Sequence, residues 1–291
     1  MTTQILTVIA DGILIGLIYA SAGLGLSLTM GIMGVVNVAH SAFIMLGSYF
    51  AFELFHRFAI DPVVSLFLAL PVFFGLGALV YRTMIIRIER AAQTQGLVAM
   101  FGLMVLIENL AIIAWTTDSR VITASYTNAS IVLGSVRLAE VKLIVGILAL
   151  LLIAACWATM HLTLTGRAIR AMGQDRDAAV MLGIDVRQLS TLMFGVGIAC
   201  AGAAGVLLAM VFPFTPSGHV AWLAWAFLVV IVGGLGSVAN TLLAGLVVGV
   251  IQTVCAAWLP FDTVYLILYV LLAVMLVVRR EGLSRMIRRT I

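Results

Sequence analysis

Nine apolar runs, most of them about long enough to cross a bilayer, fill this chain and leave little between them. They lie near residues 5–28, 31–55, 62–86, 97–115, 141–162, 189–211, 223–239, 240–259 and 264–279. A helix needs roughly 20 apolar residues to span the hydrocarbon core. Strict alternation of apolar and polar residues is absent, so the runs predict helices; an open sheet would leave backbone groups unsatisfied in lipid. Only 10% of the 291 residues are charged, against roughly 25% in soluble domains. The sequence therefore predicts an all-α, polytopic membrane protein with about eight to ten transmembrane helices. It reads as one transmembrane domain over residues 1–291, with little chain left for a soluble one.

The net charge of +4 does not point to nucleic acid, because of where the charges sit. Three segments hold twelve of the sixteen Lys and Arg residues: Arg82, Arg87 and Arg90; Arg167, Arg170, Arg176 and Arg187; and Arg279, Arg280, Arg285, Arg288 and Arg289. The positive-inside rule places these segments, and the basic tail of about 279–291, in the cytoplasm. Arg57, Arg120, Arg137 and Lys142 fall in connections on the other side. The polar 116–140 segment is then the main outside loop, with shorter outside turns at Pro213–Gly218 and Pro260–Asp262. The N-terminus lies outside if both 5–28 and 31–55 cross, and inside if one of them is broken. Met1-Thr2-Thr3-Gln4 has no basic residue and leads straight into the first run, so no cleavable signal is expected. The tryptophans mostly mark span ends, as interface anchors do.

Two glycine-interrupted segments occupy corresponding places in the two halves. Gly31-Ile-Met-Gly34 is followed by Asn37, His40 and Ser41, and Gly233-Gly-Leu-Gly236 is followed by Asn240. Paired interruptions of this kind point to a binding site in a repeat-built transporter, while glycines also serve simply to let helices pack closely. Asn37, His40 and Ser41 form a donor–acceptor cluster that can line a polar path, while an isolated intramembrane histidine is equally satisfied by a neighbouring carbonyl. Glu108 lies in the outer half of its span, where a carboxylate either faces a path or bonds to a neighbouring helix. Enzyme chemistry finds no support: His-Glu-x-x-His, a Gly-x-Ser-x-Gly elbow and a phosphate-binding loop are all absent. Ser217 and His219 read as residues of an outside turn. Cys156, Cys200 and Cys255 lie within apolar runs, with neither a disulfide framework nor a metal-ligand spacing, and no metal site is expected.

The largest polar interruption is Thr165-Gly166-Arg167-Ala-Ile-Arg170 through Asp177-Ala178-Ala179 to Gly183, which predicts a short surface helix. Asp177-Ala-Ala-x-x-x-Gly183 reproduces, with Asp for Glu, the Glu-Ala-Ala-x-x-x-Gly pattern of ABC-importer permeases. Together with Gly16-Leu-Ile-Tyr-Ala20, Gly31-Ile-Met-Gly-Val-Val-Asn-Val-Ala-His40, Met45-Leu-Gly-Ser-Tyr49, Ala201-Gly-Ala-Ala-Gly-Val-Leu207 and Gly233-Gly-Leu-Gly-Ser-Val238, the loop resembles the branched-chain amino-acid ABC transporter permeases, in the family's order over nearly the whole chain.

The resemblance implies an ABC-importer permease fold in a bacterial inner membrane, with the C-terminus cytoplasmic. It implies four kinds of company: a second related permease in a likewise membrane-embedded heterodimer, two cytoplasmic ATPase subunits carrying ATP and Mg, a periplasmic solute-binding protein, and the lipid bilayer. No cofactor is expected on this chain, and no enzymatic activity. The loop of about 163–188 would couple to the ATPases through Thr165, Gly166, Arg167, Arg170, Asp177, Ala178, Ala179 and Gly183. Positive-inside topology alone is the competing account of Arg167, Arg170 and Arg176. Asn37, His40, Ser41, Glu108, Trp225, Gly233 and Gly236 would line the translocation path. The expected cargo is branched-chain or other hydrophobic amino acids; urea, short amides, small organic or aromatic acids, or a stand-alone ion-coupled carrier, are the alternatives. Two departures from the family's pattern read first as ordinary drift in a permease whose selectivity lies mostly in its binding protein, with a shifted cargo such as an aromatic or bulkier apolar acid as the alternative. Ser41-Ala42 stands where the family commonly has Gly-Glu, and Trp222-Leu-Ala-Trp225-Ala-Phe227 stands where a lysine is frequent.

Overall fold

The structure, a computed structural model, describes residues 2–88, 93–127, 129–133 and 136–278. Arg90 and the basic tail from Arg279 onward lie outside the described residues. The helices are α1 (Thr2–Met33), α2 (His40–Phe58), α3 (Pro62–Val80), a π-helical turn (Tyr81–Ile85) continued by α4 (Ile86–Ile88), α5 (Gln93–Trp115), α6 (Glu140–Leu162), α7 (Leu164–Gln174), α8 (Arg176–Met181), α9 (Val186–Val211), α10 (His219–Gly233), α11 (Val238–Trp258) and α12 (Phe261–Val278). Six helical stretches among the described residues are long and apolar enough to cross a membrane: Gln4–Met33, Pro62–Ile88, Gln95–Trp115, Glu140–Leu162, Val186–Val211 and Val238–Trp258. The chain is thus a helical, multi-pass membrane protein. The sequence reading missed one exception: within the 116–140 segment, β1 (Ser130–Leu133) and β2 (Val136–Ala139) form an antiparallel hairpin.

α1 is the spine. Gly12 and Gly16 lie against Gly249 and Gly245 of α11, and a Cβ at Gly16 would come within 2.7 Å of the Gly245 carbonyl oxygen. Gly25 meets Gly197 of α9 in the same way. α9 in turn receives α2, where Gly47 abuts Gly202 and Gly205 abuts Ile44, and α3, where Gly77 sits on Ile198. These contacts put α9 in the middle, with 89% of its span buried, and leave α5 at the periphery with 17% buried.

The helix directions follow from the pairings. Lys142 Nζ lies 3.0 Å from Asp11 Oδ2, and Gly146 packs on Leu14, so α1 and α6 run the same way. The Thr2 end of α1 and the hairpin therefore share one face of the molecule. On that face Arg120 pairs with Phe214 as an isolated β-bridge, and Asp61 caps α3 through Val63 N at 2.8 Å. The hydroxyl of Tyr126 donates to Asp61 Oδ1 at 3.1 Å. Burial, with that carboxylate beside it, holds the Tyr126 phenol above its ordinary pKa. The opposite face carries the Met33 end of α1, α7 and α8.

Both glycine interruptions exist as breaks. Gly34 has φ 68°, and residues 34–39 run non-helically back alongside α1 before α2 begins at His40. Gly234 and Gly236 have φ 85° and 80° between α10 and α11. The apolar run read over 31–55 is therefore not one helix, and that over 223–239 ends its helix at Gly233. The breaks meet: Gly31 packs directly on Gly236, whose N–H donates to Ser27 O at 3.0 Å.

Replacing Gly16 by Leu is expected to cost at least ~1–3 kcal/mol through overpacking. Leu at Gly102, where an added Cβ meets nothing, is expected to be tolerated. Thermal unfolding of the purified variants in detergent distinguishes them, and equal midpoints would contradict the close α1–α11 contact.

Candidate functional site

The non-helical return of residues 34–39 carries Asn37 into the interior, and the start of α2 does the same for His40 and Ser41; all three are fully buried. His40 Nε2 donates to Ala22 O of α1 at 2.9 Å, which leaves Nδ1 as an acceptor. That Nδ1 and both amide atoms of Asn37 have no hydrogen-bond partner among the described residues. Leaving such groups unpaired costs about 1–3 kcal/mol each, and three such atoms lie around one helix break.

Ser41 leads across to α10 and α5. Its Oγ lies 3.0 Å from His219 Nδ1, and His219 Nε2 lies 3.4 Å from Glu108 Oε2. A neutral imidazole with its proton on Nε2 fits both contacts, accepting from Ser41 and facing the carboxylate. Residues 41 and 219 thus tie α2 to α10, with Glu108 of α5 close to His219 Nε2 but outside hydrogen-bonding geometry. The trio superficially has the composition of a hydrolase triad, but Ser41 is wholly buried. His219 is also where the sequence reading erred. It is not part of an exposed outside turn; it opens α10 and is 1% exposed. The signal was present in Gly218 followed at once by an apolar run, which lets the chain re-enter the interior with a histidine leading.

The remaining path candidates have contacts of their own. Trp225 stacks on Tyr19 with ring centroids 4.5 Å apart and meets Tyr265 edge-on at 6.1 Å, so it is packing between α1, α10 and α12. Gly233 rests against the Asn240 carbonyl, and Gly236 against Gly31.

On the opposite face the 163–188 loop folds into two helices rather than one. Thr163 caps α7 through Gly166 N at 3.0 Å, and Asp175 ends α7 and caps α8 through Ala178 N at 2.9 Å. α8 closes in a Schellman motif: Gly183 N donates to Val180 O and Ile184 N to Ala179 O, with Gly183 at φ 78°. Gly183 is required by this backbone geometry, since a Cβ there would meet nothing.

Burial sorts the loop residues. Gly166 lies on the Thr159 and Met160 carbonyls, and Arg170 donates to Met160 O. Ala179, 2% exposed, faces inward among Met172, Val186 and Ile184. Ala178 is half-buried, while Thr165, Arg167 and Asp177 are exposed. The outward surface belongs to residues the sequence reading passed over: Val180, Met181 and Leu182, exposed by 56%, 83% and 78%. Ala179 thus anchors α8 from within, and three larger apolar side chains form its projecting knob.

Comparison with known proteins meets this geometry. The family model described as the permease component of the branched-chain amino acid transport system matches residues 8–278. The chain belongs to this permease family. Relatives include the high-affinity branched-chain amino acid transport system permease protein LivH of Escherichia coli (strain K12), 27% identical over 290 residues, which cover 94% of this chain and 93% of that protein. BraD of Pseudomonas aeruginosa, named for the same kind of system, is 25% identical over 258 residues, 84% of each chain. The probable branched-chain amino acid transport permease protein LivH of Methanocaldococcus jannaschii is 26% identical over 259 residues, 84% of this chain and 79% of that one. No solved structure matches.

Within this permease, Ser41, His219 and Glu108 are expected to be energetically coupled. Ser41→Ala and His219→Ala should each lower the unfolding midpoint, and the double variant should lose less than the sum of the two. Strict additivity in thermal unfolding would show that the two side chains do not interact.

Proposed function

We propose that this permease is the membrane subunit of an ATP-driven importer for branched-chain or other hydrophobic amino acids. In this reading it works by alternating access, with hydrolysis on separate ATPase subunits that hold ATP and Mg. A solute-binding protein delivers cargo on the hairpin face, and a second, related permease completes the pathway. Nine crossings follow when α2 with its non-helical lead-in, α10 and α12 join the six long helices. Arg82, Arg87, Arg167, Arg170, Arg176 and Arg187 then gather on the α7–α8 side, and Arg57, Arg120, Arg137 and Lys142 on the hairpin side. That asymmetry supports a cytoplasmic α7–α8 face in a bacterial inner membrane.

The observation that carries this reading is the α8 knob. An exposed apolar tip of Val180, Met181 and Leu182 on the face that carries the basic segments is the kind of patch that marks a protein partner. It is held by capped, mutually packed helices that would transmit a push. Met172 and Ala179 share a small core with Val186, Ser190 Oγ lies 3.7 Å from Met172 Sδ, and Gly173 packs on Ile32 near the end of α1. Beyond Ile32 comes the Gly34 break, and beyond that Asn37 and His40. Displacement of α8 by a closing ATPase pair would thus reach the buried polar cluster through one helix end and one glycine. The orphaned atoms of Asn37 and His40 would gain partners when the path opens to water or to the charged ends of an amino acid. Glu108 is engaged with His219 in this closed arrangement and becomes available only as α10 moves.

Replacing Met181 by Glu puts a charge on the knob without touching the core. The variant is expected to insert and fold normally but to lose most co-purifying ATPase and essentially all ATP-dependent uptake. Gly183→Val, which forces a β-branched residue into a left-handed backbone, should do the same while lowering stability by ~1–2 kcal/mol. Uptake at the native level by Met181→Glu, with ATPase subunits still bound, would refute the assignment.

A further inference from the structure

A second feature of the α7–α8 face is separate from the knob. Between the π-helical turn and the start of α9 lies a cavity of about 410 Å³ lined by Arg82, Asp185, Arg187, Gln188 and Thr191. We propose that it binds the phosphate of an anionic phospholipid from the adjacent leaflet.

The cavity has the charge for this. Neither guanidinium forms an ion pair among the described residues. The Asp185 carboxylate is committed to its own helix, accepting from Gln188 N at 2.9 Å. The N-terminal end of α9 adds its partial positive charge to the same space. Two guanidiniums on neighbouring elements suit one phosphate, since each can offer paired N–H donors to its oxygens.

The position favours a lipid over a soluble anion. Tyr81 and Ile85 of the π-helical turn are buried, Tyr81 against Phe194 of α9 at 6.1 Å between ring centroids, so Arg82 between them is turned outward. The widened turn therefore presents Arg82 at the end of α3. Val72, Leu76 and Leu79 are all exposed and fall at i, i+4 and i+7, one face of α3, and Arg82, one turn beyond Leu79, flanks the end of that row. An apolar stripe along a membrane span that ends at a two-arginine hollow matches an acyl chain joined to an anionic headgroup. The inference needs only the membrane orientation of the chain and is independent of the importer reading.

The test uses the full-length chain with whatever partners co-purify, stripped of lipid and titrated with phosphatidylglycerol while native mass spectrometry counts bound lipid. The wild type and Arg137→Gln, altered on the hairpin face, are expected to retain one phosphatidylglycerol, and neither should hold phosphatidylethanolamine comparably. The double variant Arg82→Gln/Arg187→Gln should bind about 30-fold more weakly, from roughly fivefold per basic residue near a membrane surface. Arg82→Lys/Arg187→Lys, keeping charge but not the fork, should fall between. Unchanged phosphatidylglycerol binding in the double Gln variant, or equal retention of phosphatidylethanolamine, would overturn the proposal. So would displacement of the lipid by millimolar inorganic phosphate, which would make this a site for a free anion.

Discussion

Backbone-to-backbone contact along α1 is the interaction on which the rest of the structure depends. In lipid, apolar side chains gain nothing by leaving their solvent, so helices associate through close packing at small residues. Gly12 and Gly16 admit α11, Gly25 admits α9, and Gly31 admits the loop at Gly236. A methyl group at any of these four positions would collide with backbone or ring atoms of the neighbouring element. Around this spine the other helices settle at distances fixed by glycine rather than by side-chain volume.

The same spine connects the two ends of the functional geometry. Its last turn touches α7 at Gly173 and the second glycine break at Gly236. Its middle accepts the hydrogen bond from His40 at Ala22. A rigid rod that contacts the α7–α8 pair at one point and the buried polar cluster at another can couple them without a long chain of intermediates. The unpaired atoms of Asn37 and His40 carry an energetic cost in the arrangement seen here; in the proposed cycle a second arrangement would relieve it. The hydrogen bond between Ser41 and His219 joins α2 to α10 in that same arrangement, with Glu108 of α5 close beside His219.

Much of this was legible in the sequence. Uninterrupted hydrocarbon, broken only by short basic or polar connections, specifies a helical membrane protein because no other fold satisfies the backbone there. The two glycine segments were visible as interruptions, since Gly34, Gly234 and Gly236 sit where only glycine is comfortable. What sequence could not reveal was that the breaks touch each other, because the Gly31–Gly236 contact joins residues about two hundred positions apart. His219 was misjudged for the same reason: its partners Ser41 and Glu108 are far away in the chain, and alone it looks like a turn residue beside Gly218. In the α7–α8 loop the small residues drew attention and the large ones did not. Spacing identified Ala179 but not the side of the helix that faces out, which is decided by the packing of Met172 and Val186.

The central claim is that nucleotide-driven movement at α8 reaches Asn37 through the end of α1. It is tested most directly by placing a cysteine at position 37 in a background lacking Cys156, Cys200 and Cys255. Its reaction rate with a small water-soluble maleimide is then measured in the assembled transporter, with and without ATP. The account predicts a side chain sealed in one nucleotide condition and labelled severalfold faster in the other, with the difference abolished by Met181→Glu. A cysteine that stays equally protected, or equally reactive, in every nucleotide state would contradict it.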